Sequence, residues 1–481
     1  MTQASWKPGA GLAILTLALV LAGCSDTIVY RDLPDFVAPP DGAEGFLGFS
    51  DVDSKRTTCG NCHSGKQAQW EGTAHSHAWE TLASSGASAP LCEGCHTVSS
   101  LGNQSTGPNA GYGATKSPRY HDVQCESCHG PGLTHVTNPD IQANKPLASI
   151  AVGTSLTNGC GECHSGAHQP FAEQWASSRH ANAPGTRGTN ASCWSCHDAK
   201  KVLESWGVNT TFVEASDADA HLPIVCTVCH DPHNAKNPNQ LRFPVDVPDV
   251  ETNLCMKCHH KRAEPDINSS RGPHSPQGPI LLGEGGWLPP NFQYPPKSLV
   301  GSHGSDQNPK LCATCHVAAY EVPDQLTGQF NFRATGHSFQ PIPCVDGNGV
   351  PLPDPKTPCE DAQRSFKACT VCHSSETAAR TARAVAKDRL ARLADELDAL
   401  LDQLAGTSAF NYTDGITSTA EGSRFNEGLA RERGSAIHNP FLVEALLLAS
   451  IKQVELDYGL SARAGLSMRP QLAPPPNVKL K

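Results

Sequence analysis

The 481-residue chain has a clear alternation of apolar and polar positions at its two ends and almost none between them. From about Thr377, Leu390, Leu393, Leu397, Leu400, Leu401 and Leu404 recur at helical spacing, Lys387, Arg392, Asp395 and Asp398 take the opposite face, and Gly406 is a stop signal. A second helix is predicted from Asn439 as N-cap, with Pro440 at its first position, Val443, Leu447, Ile451, Val454 and Tyr458 along one face, and Gly459 at its end. The two are expected to pack as an antiparallel hairpin. At the amino end, Lys7 precedes an apolar run from Leu12 to Ala22 and then Gly23-Cys24. A basic start, a short apolar core and small residues before a cysteine read as an export signal, too short for a membrane span.

Between these ends the pattern fails. Residues 25 to 54 and the Gly- and Pro-rich stretch from Gly272 to Pro296 show no sustained period and read as a tether and an irregular loop. Hydrophobic residues make up 38% and aromatics 6%, against 42 glycines and 38 prolines. This composition suits loops wrapped around something other than a side-chain core. The net charge of −10 argues against a nucleic-acid partner.

The cysteines identify that something. The pentapeptide C-x-x-C-H opens at Cys59, Cys92, Cys125, Cys160, Cys193, Cys226, Cys255, Cys312 and Cys369, and closes its thiol pair at Cys62, Cys95, Cys128, Cys163, Cys196, Cys229, Cys258, Cys315 and Cys372. Two thiols two residues apart reach the two vinyl groups of one porphyrin, and the next residue meets its iron. The proximal ligands are then His63, His96, His129, His164, His197, His230, His259, His316 and His373. Zinc or disulfide pairing would not need a histidine after every second cysteine. Nine haem c groups account for eighteen of the 21 cysteines. Cys24 directly follows the leader and is set aside for lipid. Cys344 and Cys359 remain, and in an oxidising compartment they are expected to form a disulfide, the alternative being two free thiols.

Two blocks are copies of each other. Cys59-Gly-Asn-Cys-His-Ser-Gly is followed by Trp70 and His75, and Cys160-Gly-Glu-Cys-His-Ser-Gly by Trp175 and His180; the steps between motifs are 33 residues in both blocks. His121 and His221 precede the third motif of each block, and His135 and His233 follow it. Each block therefore reads as a three-haem unit with three further histidines. Of three methionines, Met1 leaves with the leader, Met256 lies inside a motif and Met468 sits in a Pro-rich tail, so histidine is the default second axial ligand. The expected distal set is His75, His121 and His135, then His180, His221 and His233, then His274, His303 and His337, with His438 in reserve; His77, His168 and His260 fit less well. The expected organisation is a leader at 1–23, a tether at 24–54, three-haem units at 55–138, 139–250 and 251–376, and a helical hairpin with a tail at 377–481. The fold class is mainly α with extensive irregular loops, its interior packed by haem.

Residues 55 to 460 resemble the multihaem c-type cytochromes. The run from Cys125 to His135 and the Trp-to-His spacings look like the cytochrome c554 and periplasmic decahaem type. Ile437-His438-Asn439-Pro440 before an apolar helix is similar to the C-terminal region of multihaem enzymes of nitrogen compounds. Pentahaem nitrite reductases carry lysine in place of one motif histidine; no C-x-x-C-K occurs here, which argues against that activity. Leu21-Ala22-Gly23-Cys24 resembles the bacterial lipobox, implying lipidation at Cys24 and, through Ser25, an outer-membrane lipoprotein anchored without a spanning segment. The resemblance implies an exported electron-transfer protein, facing the periplasm or the cell surface. It would relay electrons between periplasmic carriers and an outer-membrane or extracellular acceptor, with periplasmic or outer-membrane cytochromes, including a porin–cytochrome conduit, as its partners. The alternatives are a reductase of nitrogen or sulfur compounds, its open iron sought in the third unit, and a filament in which His438 or His77 caps a haem of the next subunit.

Overall fold

The structure, a computed structural model, describes residues 36–152, 159–182, 190–208, 210–217, 221–353, 359–463 and 465–472. The leader, the lipidation candidate Cys24 and the first part of the tether lie outside the described residues. No described helix is long and apolar enough to cross a membrane.

The first haem-motif block opens with a two-stranded antiparallel ribbon, β1 (Phe49–Asp51) and β2 (Arg56–Thr57), in which Phe49 pairs with Thr57. Beyond it the chain uses short helices separated by loops. Two of these, α1 (Ser64–Trp70) and α2 (Phe171–Ala176), occupy equivalent places in the two blocks. The Trp70 indole N–H donates to the Val123 carbonyl (2.9 Å) and the Trp175 indole N–H to the Ile224 carbonyl (2.8 Å). In return, the Val123 amide donates to the His75 carbonyl and the Ile224 amide to the His180 carbonyl, each at 3.1 Å. The internal copy legible in the sequence is thus a copy of hydrogen bonds as well.

Apolar side chains in this half gather only in small groups: Phe46, Val98, Tyr112 and Tyr120 in the first block, Trp175, Val202, Leu203, Phe212 and Val228 in the second, and Met256, Leu281, Leu282 and Leu311 beyond. Further on, β3 (Tyr320–Pro323) and β4 (Phe330–Ala334) make a second antiparallel ribbon, and Cys344 and Cys359 form a disulfide. The stretch expected to be irregular from Gly272 to Pro296 is mostly so, with one short helix at Gln277–Leu281.

The largest side-chain core is at the carboxyl end. Helices α3 (Glu376–Asp402) and α5 (Pro440–Tyr458) match the two predicted, with Asn439 capping the Leu442 amide, Pro440 at the first position and Gly459 ending α5 in the left-handed region. A third helix, α4 (Thr419–Arg431), packs against both and turns the expected hairpin into a three-helix arrangement. It begins at a capping box, in which the Ser418 hydroxyl accepts from the Glu421 amide and the Glu421 carboxylate accepts from the Ser418 amide. Its buried face carries Gly422, Ser423 and Asn426 beside Ala420, Phe425 and Leu429, so few large apolar residues mark it. Gly422 has no side chain because the Trp287 ring lies where its Cβ would be, 2.1 Å away. The Asn426 side chain accepts from the Trp287 amide and donates to its carbonyl. Asn439 likewise donates to the Ile280 and Leu299 carbonyls. These amides join the helical bundle to the preceding loops.

Arg389 on α3 and Glu444 on α5 form an ion pair at 2.7 Å with side chains 3% and 1% exposed. Glu444 also accepts from the Gln471 and Leu472 amides, and Arg389 donates to the Ser467 and Arg469 carbonyls, so the pair pins the tail across the bundle. Replacing one partner strands a buried charge. Glu444→Ala is expected to destabilise the bundle by about 3–5 kcal/mol, measured as a lower denaturation midpoint in the helical signal.

Candidate haem-binding sites

Each C-x-x-C-H is wound into about one helical turn. The histidine amide reaches back to the carbonyl of the opening cysteine at His63 (2.9 Å), His164 (2.9 Å), His230 (2.9 Å), His259 (3.1 Å) and His373 (2.9 Å). That turn brings both thiols and the imidazole to one side.

The imidazoles are then fixed through the nitrogen that would not meet a metal. Nδ1 of His96 contacts the Ala78 carbonyl at 2.8 Å, that of His129 the Pro146 carbonyl at 2.8 Å, that of His230 the Asn239 carbonyl at 2.8 Å and that of His316 the Phe339 carbonyl at 3.0 Å. A carbonyl can only accept, so Nδ1 carries the proton and Nε2 keeps its lone pair. This is the second-shell arrangement that makes an imidazole a metal ligand.

Eight of the nine motif histidines face a second imidazole. The pairs are His63 with His135 (ring centroids 6.5 Å apart), His129 with His233 (6.2 Å), His164 with His75 (6.1 Å), His197 with His274 (6.2 Å), His230 with His337 (6.3 Å), His259 with His180 (6.3 Å), His316 with His438 (6.2 Å) and His373 with His303 (6.2 Å). A metal–imidazole bond is about 2 Å, so one ion between two rings sets their centroids roughly 6 Å apart. The residues therefore fit a haem iron held between two histidines. Residues 58–130 match the family Cytochrome c554 and c-prime, and residues 222–264 match the Doubled CXXCH motif.

The chain is a multihaem c-type cytochrome. Among solved structures, that of outer cell wall cytochrome OcwA aligns with the cytochrome at 18% identity and a TM-score of 0.47, covering 76% of this chain and 75% of that one. No curated protein matches it significantly.

The expected distal histidines fall into two groups. His75, His135, His180, His233, His274, His303 and His337 each face a motif histidine, and so does His438, which the sequence held in reserve. His121 and His221 do not. The His121 ring stacks on Trp79 (4.0 Å, 14° between planes), and His221 meets the Asp198 carboxylate at 2.5 Å beside Trp194. They stand in equivalent places of the two copies, and aromatic and carboxylate neighbours hold them there. His77 pairs with Glu80, His260 turns its Nδ1 to the Met256 carbonyl, and His168 lies exposed. Among the described residues, His96 faces no other imidazole at the spacing of the eight pairs.

Five of the eight pairs cross a boundary between three-haem units, and two of these join the copies: His75 of the first block faces His164 of the second, and His233 of the second faces His129 of the first. No spacing rule encodes such exchange. Gly434 was also missed, because a glycine carries no ligand signal. With φ of +88°, it sits under His438, whose ring would be 2.6 Å from an added Cβ. Burial, helped by the neighbouring imidazoles, lowers the pKa of His438 to about 3 and those of His75, His180 and His337 to about 4. They are neutral near pH 7, the state that binds a metal.

Proposed function

We propose that this cytochrome holds nine haem c groups and carries electrons along them, from soluble redox carriers to an acceptor at or beyond the outer membrane. The observation that carries this reading is that eight of nine motif histidines face a second histidine across one metal ion's width. An iron ligated on both faces exchanges electrons but offers no position to a substrate. The haem supplies the one-electron carrier. The chain supplies the thiols at Cys59 to Cys372, the proximal imidazoles, and the distal imidazoles His75, His135, His180, His233, His274, His303, His337 and His438. Export, lipidation at Cys24 and docking to other cytochromes belong to this reading; the leader pattern and the oxidised Cys344–Cys359 pair support it.

His96 favours a second reading for one site. The three motif histidines of the third unit are all faced, by His180, His438 and His303, so an open iron is better sought at Cys92 than there. A small ligand such as nitric oxide or hydroxylamine would bind at that site.

Mass spectrometry of the exported protein is expected to give nine haem additions, and a mass with bare or zinc-bound thiols would refute the assignment. Carbon monoxide added to the reduced protein is expected to perturb the Cys92 haem alone. His438→Ala is expected to open one further haem to carbon monoxide, with Gly434→Ala doing so in part. His121→Ala and His221→Ala should open none. If the two groups of variants behave alike in the haem spectrum, the distal assignments fail.

A further inference from the structure

The motifs touch one another in an order that differs from their order along the chain. Opening thiols lie side by side in Cys59 with Cys125, Cys160 with Cys226, and Cys255 with Cys312. Closing thiols neighbour the following motif's opening thiol in Cys128 with Cys160, Cys229 with Cys255, and Cys315 with Cys369. The two remaining motifs make another contact, closing thiol to closing thiol: Cys95 beside Cys163, and Cys196 beside Cys258.

Backbone and side-chain contacts give the same neighbours. The indole bonds of Trp70 to Val123 and of Trp175 to Ile224 tie the first motif of each block to the third. The Gly102 amide, just after the Cys92 motif, donates to Glu162 inside the Cys160 motif at 2.5 Å. The Lys257 ammonium of the Cys255 motif lies 5.6 Å over the Trp206 ring that follows the Cys193 motif. Met256 of the Cys255 motif packs with Leu311, next to Cys312. The imidazole exchange has the same period. His75, His180 and His303 each lie after the opening motif of a unit and face the histidines of the motifs at Cys160, Cys255 and Cys369. His233, His337 and His438 face those at Cys125, Cys226 and Cys312.

We propose that the haem sites form a single file, Cys59, Cys125, Cys160, Cys226, Cys255, Cys312, Cys369, with the Cys92 and Cys193 sites set beside it, at Cys160 and Cys255 respectively. Cys369 is then the counterpart of Cys59, Cys160 and Cys255, and the third unit has no lateral site. The ends of this file are where the surface is: among the motif cysteines, Cys62 and Cys372 alone are exposed. Haems held by these thiols in this order would let an electron entering at the Cys59 end pass to Cys369 without visiting a lateral site. A ligand on the Cys92 haem leaves that path intact.

This rests on the reading as a nine-haem electron carrier. To test it, a ruthenium photosensitiser is attached to the exposed position of Lys66, near Cys62, through Lys66→Cys in the full haem-loaded protein, and haem reduction is followed spectroscopically under illumination with a sacrificial donor. With Cys193→Ala and Cys196→Ala, the haem of that site is lost and reduction should still extend to the haem at Cys369. With Cys226→Ala and Cys229→Ala, reduction should stop after the haems at Cys59, Cys92, Cys125 and Cys160. Equal interruption by both changes, or interruption by the first alone, overturns the order. Should either variant fail to mature, the iron positions of the unaltered holoprotein decide: the iron nearest that of Cys92 should be that of Cys160, and the iron nearest that of Cys193 should be that of Cys255. A different iron order with rapid reduction of every haem would sink the file but keep the carrier. The stated order with no transit of electrons would do the reverse.

Discussion

Two imidazoles facing each other across the width of one ion are the contact on which the rest of this chain depends. The interaction asks for little: an Nδ1 proton tied to a carbonyl, an Nε2 left free, and a partner about 6 Å away, ring centre to ring centre. It is nevertheless demanding as a packing constraint, because two backbone segments must be held at a fixed separation with nothing but a cofactor between them. A side-chain core cannot do this. The small apolar groups around Tyr120, Trp175 and Met256 position the segments.

The exchange of ligands between copies makes the repeat more than a string of beads. His75 reaches forward to His164 and His233 reaches back to His129, so the two blocks clasp each other through facing imidazoles as well as through their surfaces. The same indole-to-carbonyl bonds, Trp70 to Val123 and Trp175 to Ile224, recur in the two blocks and set the reach of His75 and His180. The three-helix bundle closes the series by presenting His438, seated on Gly434, to the motif histidine His316.

What could be read in advance followed from residue chemistry with a short sequence range. The C-x-x-C-H turns, the Asn439-Pro440 start, the Gly459 stop and the Cys344–Cys359 bridge all fall in this class, since each is decided by neighbours in the chain or by elimination. Helix α4 escaped because large apolar residues are few on its buried face, where Gly422, Ser423 and Asn426 stand among Ala420, Phe425 and Leu429 and Trp287 packs against Gly422 and Asn426. The distal ligands were harder still. His121 and His221 stand in the right places of the repeat to be ligands, yet Trp79 and Asp198 hold them, while His438 lies far from any motif in sequence and faces His316 in space. Ligand choice here is a property of tertiary distance, which spacing does not carry.

The clasp between copies has a bearing on how such a molecule is assembled. A polypeptide delivered amino end first presents His129 about a hundred residues before His233, so several early sites must wait half-finished for a segment still to come. Cofactor attachment at the thiols and completion of the iron's surroundings are therefore separate events in time. On the proposed ligation, the early units would stay unfinished until the later ones have been made.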